Sequence, residues 1–274
     1  MCIRDRYDNR PATDEEMERM RGHVKDAMEE GAMGIGSSLI YAPGDYASTE
    51  ELIELCKVAS NYGGMYISHM RNEDSKVMSA LEELIRISKE ADIPAEIYHL
   101  KSSRKPNWKK IDDIIKRVEE VRGQGLKITA DIYTYNASST GLTGVIPTWV
   151  QEDGHKARIE RMKDPNIRPR LLEDIRKELS EQPPEGILMV GFKTSEMSKK
   201  YLSKTVAEAA KMRGQSPEEA IVDMVIEDDN RIQCIYFSMS EENIRKKIKL
   251  PWVSFLSLIH ISEPTRLLSI WYSG

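Results

Sequence analysis

Two rhythms of apolar and polar positions alternate along the first half of the chain. Thr13 and Glu16 have capping-box spacing, and behind them Met17, Met20, Val24 and Ala27 recur at helical spacing until Gly31. Residues 33–38 then read as a short strand. Ser48 and Glu51 form a second capping box, followed by the stripe Leu52, Leu55, Cys56 and Ala59, which stops near Gly63 and Gly64. Residues 65–69 are a strand, and Val77, Leu81, Leu84 and Ile85 mark the next helix. Pro94 separates that helix from the strand at 95–99. Ile111, Ile114, Ile115 and Val118 mark a further helix, closed by Gly123 and Gly125, and residues 127–133 are the next strand. Strand ends therefore fall near Ser38, His69, His99 and Asp131, in steps of about 30 residues, the length of one βα unit. Four such units in a row imply parallel strands and suit either a (β/α)8 barrel or a doubly wound sheet. Gly34 to Gly36 is only GxG, too little for a dinucleotide-binding turn.

Beyond Tyr133 the pattern changes. Residues 136–150 are rich in Ser, Thr and Gly and read as a long loop. Residues 151–230 are charged and mostly helical, broken at Pro183-Pro184, with a helix start at Ser216-Pro217 and Glu219, and read as an insertion. Residues 231–255 resume strand character through Ile232, Cys234 and Tyr236, pass a short helix at 241–249, and read as the last strands of the βα unit series.

Bulk properties narrow the partners. The 274 residues carry a net charge of −5, against a phosphate-binding surface, so no nucleic-acid partner is expected. No apolar run approaches the roughly 20 residues that span a bilayer, and 1–10 lack the apolar core of a signal peptide. Three cysteines, Cys2, Cys56 and Cys234, have neither disulfide-framework nor CxxC spacing, and a reducing, cytoplasmic setting is the expectation. The two ends stand apart. Met1 to Asp5 can be written as DNA whose reverse complement encodes Leu256 to His260, so one short element read on opposite strands accounts for both. It resembles a transposon end and adapter used in preparing sequencing libraries. Residues 1–6 and 256–274 are therefore set aside from the fold, and His260 is assigned no function.

His69 and His99 carry the chemistry. Each closes an apolar strand, one βα unit apart, so both are expected at the same end of neighbouring strands. In a βα barrel that face is where active sites are built, and imidazole suits Zn²⁺, whose catalytic sites use about three protein ligands plus water. Two histidines hydrogen-bonded to loops would give the same spacing. His23 and His155 read as surface residues, and Cys56 and Cys234 as core; the acidic runs at 14–16 and 50–51 read as helix N-terminal charges.

In combination these residues resemble the N-acyl-D-amino-acid deacylases of the amidohydrolase superfamily. Ser68-His69-Met70-Arg71 is similar to an SHxR motif and His99-Leu100-Lys101 to an HxK motif. Leu39 to Gly44 and Tyr46 to Leu52 resemble an LxYxPG…YAxxxEL block. Asp131 to Tyr135 resembles DxYPY, with Thr134 where proline is usual, and Phe237 to Asn243 with Pro251 to Ser254 resembles the approach to the last barrel strand. The resemblance runs over 12–255 and implies an α/β fold, a partial (β/α)8 TIM-like barrel of the metal-dependent amidohydrolase type, with a small β-sandwich domain missing. It implies zinc on His69 and His99, substrate-binding roles for Tyr41, Lys101, Tyr133 and Ser139, and hydrolysis of a small-molecule N-acyl-D-amino acid to a carboxylate and a D-amino acid. It also places a His-x-His pair and a cysteine ligand upstream of this chain and the catalytic aspartate just after Phe255, so the expectation is a fragment without deacylase activity of its own. Two other readings stay open: another amidohydrolase, such as a cyclic-amide hydrolase or a β-aspartyl peptidase, or a non-catalytic βα scaffold.

Overall fold

The computed structural model describes residues 9–230 and 232–256. Residues 1–6 and 257–274, with Cys2 and His260, lie outside the described residues. The chain opens with α1 (Asp14–Glu29), β1 (Gly34–Ser38), α2 (Thr49–Ser60), β2 (Met65–His69), α3 (Val77–Glu90), β3 (Ala95–Ile97), α4 (Lys110–Gly123) and β4 (Ile128–Ile132). Both early capping boxes form as the sequence indicates: Thr13 and Ser48 accept from the backbone N–H of Glu16 and Glu51, whose carboxylates answer the cap N–H. The helical stripes face inward. Leu81, Leu84, Ile85 and Ile87 of α3 are buried, each such side chain contributing about 1.5–3 kcal/mol on leaving water.

Next come β5 (Ser138–Gly141), α5 (Gly154–Lys163), α6 (Arg168–Glu181), β6 (Ile187–Gly191), α7 (Ser195–Tyr201), α8 (Val206–Arg213), α9 (Pro217–Asp228), β7 (Gln233–Tyr236), α10 (Glu241–Lys247) and β8 (Val253–Phe255). The strands sort into two sheets. Five lie parallel in the order β1-β2-β3-β4-β8, with Ser38 beside His69, Ser68 beside Ile97, Ile97 beside Ala130 and Ile132 beside Phe255. Three lie antiparallel in the order β5-β7-β6. Each sheet has its own core: Leu81, Ile97, Ile114 and Trp252 belong to the first, Leu142, Ile187, Tyr201 and Met224 to the second.

The second sheet corrects the sequence reading in three places. Residues 136–150, read as a loop, contain β5, whose Ser-Ser-Thr-Gly carries no apolar alternation to betray a strand. Residues 151–230 are mostly helical as read, through α5 to α9, and the correction there is one strand, β6, an apolar Ile-Leu-Met-Val run between helices. Of residues 231–255, read as the last barrel strands, only β8 joins the parallel sheet, because β7 pairs on both sides with β5 and β6. Among the described residues, no helix is long and apolar enough to cross a membrane.

Gly34 makes the first parallel pairing possible. Its φ is +152°, and a Cβ there would lie 1.9 Å from the carbonyl oxygen of Met65 on β2. Parallel register then places the C-terminal ends of β1 to β4 along one edge, where the loops converge.

Candidate metal centre

His69 is the last residue of β2, and His99 lies two residues past β3. The backbone at His99 has a left-handed φ of +40°, uncommon for a residue with a side chain. Three contacts hold that turn. The His99 N–H donates to a carboxylate oxygen of Asp131, the Leu100 N–H donates to the Asp131 carbonyl at 2.8 Å, and the buried Lys247 ammonium donates to the Leu100 carbonyl. The turn aims both the His99 ring and the Lys101 side chain at β2. The rings of His69 and His99 stand perpendicular with centroids 4.3 Å apart.

Glu73 joins them, and the sequence reading had missed it. It follows β2 in a turn shaped by Asn72, whose side-chain oxygen accepts from the N–H groups of Asp74 and Lys76. One carboxylate oxygen lies 3.4 Å from His69 Nε2, and the other 3.1 Å from His99 Nδ1. The two separations run to different oxygens, so Glu73 could meet a shared ion through one oxygen or both. His69 Nε2 is buried without a hydrogen-bond partner among the described residues, and one donor atom from each of His69, Glu73 and His99 lies within 4.8 Å of the others. Two imidazoles and a carboxylate are a donor set that zinc hydrolases use, and the residues present fit the metal. The one sequence cue to Glu73 is an acid four residues beyond the histidine; its burial was not legible there.

Lys101 completes the cluster. Its ammonium, almost fully buried, donates to Glu73 at 2.7 Å and lies 2.8 Å from His99 Nδ1. Burial alone would raise the Glu73 carboxyl, but its contacts with His69, the Lys101 ammonium and His99 outweigh burial and hold it well below the usual range. Burial, helped by the Lys101 charge, pushes His99 down to about 4, which keeps the imidazole neutral as a metal ligand requires. Burial also lowers Lys101, with Glu73 pulling the other way. Asp131 is driven up to about 7 by burial, against the opposing His99 N–H.

Of the other residues singled out in the sequence, Tyr41 and Tyr133 come to the same place. The Tyr41 ring meets His69 edge-on at 5.2 Å, Tyr133 meets His99 at 6.1 Å, and Lys101 Nζ lies 5.6 Å from the Tyr133 ring centre. Arg71, the arginine of the SHxR motif, fastens the chain a few residues beyond Tyr41. Its guanidinium grips Glu83 through Nε and Nη2 and donates to the carbonyls of Asp45 and Ala47, pinning the segment after β1. Ser139 is not brought in. It is exposed and accepts from the Gln233 side chain at 2.7 Å. Side chains alternate along a strand, so its neighbours face the site instead: Thr140 accepts from the Tyr41 hydroxyl at 2.9 Å, and Ser138 hydrogen-bonds Tyr133. His155 bridges Asp229 and Arg158, His23 is exposed, and the Cys56 and Cys234 thiols are buried and pushed up to about 12 by burial. A cavity of about 900 Å³ opens beside His69 and Tyr41, with Ile35, Leu52, Thr143 and Arg158 also in its lining. That is room for a small organic ligand.

No protein-family model matches the chain. Over 133 residues, 48% of this chain, it is 40% identical to a D-aminoacylase of Alcaligenes xylosoxydans xylosoxydans. It is 35% identical over 124 residues to an N-acyl-D-glutamate deacylase of the same organism. The matched stretches span only 27% and 25% of those two proteins. A crystal structure of D-aminoacylase, described as defining a novel subset of amidohydrolases, covers 90% of this chain at 27% identity with a TM-score of 0.67, over 43% of its own length. An N-acyl-D-glutamate deacylase from Bordetella bronchiseptica, crystallised with zinc and a phosphonate mimic of the tetrahedral intermediate, shares the fold at 23% identity and a TM-score of 0.70. The likeness drawn from the sequence motifs is thus found independently in sequence and in fold.

Proposed function

We propose that this chain is part of a zinc-dependent hydrolase that cleaves the amide bond of N-acyl-D-amino acids, releasing a carboxylate and a D-amino acid. The observation that carries the reading is the convergence of His69, Glu73 and His99 at the C-terminal ends of parallel strands, with Lys101 beside them. Bound zinc would polarise the amide carbonyl and lower the pKa of a water towards about 7. The chain's own residues do the rest of the positioning. His69, His99 and Glu73 supply the metal donors. Lys101, a buried ammonium, pairs with the substrate carboxylate, and the phenols of Tyr41 and Tyr133 flank it with hydroxyl donors. Thr140 and Ser138 orient those phenols. The partner is a small molecule rather than nucleic acid or membrane. The buried free thiols Cys56 and Cys234 favour a cytoplasmic setting.

The test is zinc titration into the metal-free 274-residue chain by calorimetry. One equivalent is expected to bind, and His69→Ala or His99→Ala to weaken binding by at least the 10–100-fold that even outer-shell changes cause. Equal zinc affinity in wild type and both variants would remove the reading.

A further inference from the structure

Parallel register sets Tyr98 in the same row as His69. Tyr66 stands beside Ala95, Ile67 beside Glu96 and Ser68 beside Ile97, and the Tyr98 N–H donates to the Ser68 carbonyl at 3.0 Å. One further step along that register pairs Tyr98 with His69, on strands about 4.8 Å apart. On the other side Ile97 stands beside Ala130, so the same step brings Asp131 into the row. Side chains alternate along a strand, and this row faces the open side. Ile67, His69 and Tyr98 all line the cavity of about 900 Å³, whereas Ala95 and Ile97, facing the other way, are buried in the first core. The left-handed turn at His99 then carries the next imidazole back beside the phenol, and the two rings lie 4.1 Å apart, tilted by 42°.

Three phenols thus surround the two imidazoles, and their hydroxyls are not equivalent. Tyr41 donates to Thr140 at 2.9 Å, and the buried Tyr133 is hydrogen-bonded to Ser138. The hydroxyl of the half-buried Tyr98 has no hydrogen-bond partner among the described residues. A tyrosine with its ring packed and its hydroxyl in a cavity is completed there by water or by a ligand oxygen.

We propose that Tyr98 is a further ligand-contacting residue, its hydroxyl donating to the acyl carbonyl oxygen of an N-acyl-D-amino acid held beside His69. This rests on the deacylase reading and deepens it by naming a side chain that recognises the acyl half of the substrate. The scissile amide has to come to the donor atoms of His69, and Tyr98 is the neighbour of His69 in the row. A neutral hydroxyl suits a neutral carbonyl, whereas a carboxylate brings a full charge, and the row from Ser38 through His69, Tyr98 and Asp131 to Ser254 offers it no Lys or Arg.

The test compares wild type with Tyr98→Phe, which keeps the ring against His99 and removes only the hydroxyl. N-acetyl-D-leucine is titrated into the metal-free 274-residue chain. N-methanesulfonyl-D-leucine, which resists hydrolysis and keeps acceptor oxygens at the acyl position, is titrated into the zinc-loaded chain. D-leucine is the control without an acyl oxygen, and Co²⁺ absorption reports the metal site. Tyr98→Phe is expected to weaken each acylated ligand that wild type binds by roughly 2–13-fold, the worth of one net hydrogen bond, and to leave D-leucine, zinc affinity and the Co²⁺ spectrum unchanged. Equal affinity of the two proteins for the acylated ligands overturns the inference and leaves the deacylase reading standing. Equal weakening of D-leucine does the same, because it moves the contact to the carboxylate. A changed Co²⁺ spectrum or zinc affinity in Tyr98→Phe also overturns it, since the phenol would then act as a support for His99. Wild type that binds neither acylated ligand takes down the deacylase reading and the inference with it.

Discussion

At the scale of single residues, the candidate site is assembled by buried charges whose partners are few. Lys247 shows this most plainly. It lies in α10, almost fully buried, and gives its ammonium to the Leu100 carbonyl, with no carboxylate in direct contact among the described residues. Burial, helped by the nearby Lys101 charge, lowers it from its ordinary 10.5 to about 7. A group with a depressed folded pKa contributes its full stability above the unfolded value and loses it as pH falls through the folded one. Stability of the metal-free chain is therefore expected to fall between pH ~10.5 and ~7, by up to about 5 kcal/mol from this group alone. Urea denaturation across that range should show the slope in wild type and a flatter profile in Lys247→Met; identical slopes would contradict it. The residue scale is also where sequence reading stopped short. His69, His99 and Lys101 were legible because they close apolar strands or sit in a short motif. Glu73 was not, since in sequence it is one acid among 45 Asp and Glu residues and only folding buries it against two imidazoles. Ser139 was matched by motif, yet strand alternation turns it outward and offers Ser138 and Thr140 in its place.

At the scale of elements, helices and parallel strands were readable because capping boxes and apolar stripes are local signals. The antiparallel sheet was not, because β5 has no apolar period and owes its strand conformation to pairing with β7, about 95 residues away in sequence, a distance no local pattern crosses. The pairing of β1 with β2 gives the prediction for this scale. Gly34→Ala would drive a methyl to within 1.9 Å of the Met65 carbonyl oxygen, in a backbone region that side chains avoid. A loss of about 3 kcal/mol or more is expected from strain and steric clash. Gly63→Ala is the control: its φ is +70°, but nothing lies within 4 Å of the added carbon, so it should cost only about 1–2 kcal/mol. Chemical denaturation of the two variants compares them, and equal losses would mean that the close approach to β2 is not what requires glycine at position 34.

For the whole molecule, a metal held by β2, the turn after it and the turn after β3 ties together segments that the unfolded chain keeps apart. A ligand that binds only the folded state stabilises it by about 2.7 kcal/mol at a hundredfold excess over its Kd. Zinc is accordingly expected to raise Tm by roughly 5–10 °C for a chain of this size, and a chelator to reverse the shift. His69→Ala should abolish the response without lowering the metal-free Tm by a comparable amount, as followed by calorimetric melting. The two cores bear on what this architecture permits. The metal donors stand on the parallel sheet, whereas Thr140, which takes the Tyr41 hydroxyl, rides on β5 of the other sheet, directly opposite Cys234. Changes in the second core can therefore shift one wall of the ligand chamber by fractions of an ångström while the ion-binding atoms stay where they are. Such a division lets a lineage reshape what the chamber admits while the donor atoms for the ion keep their places.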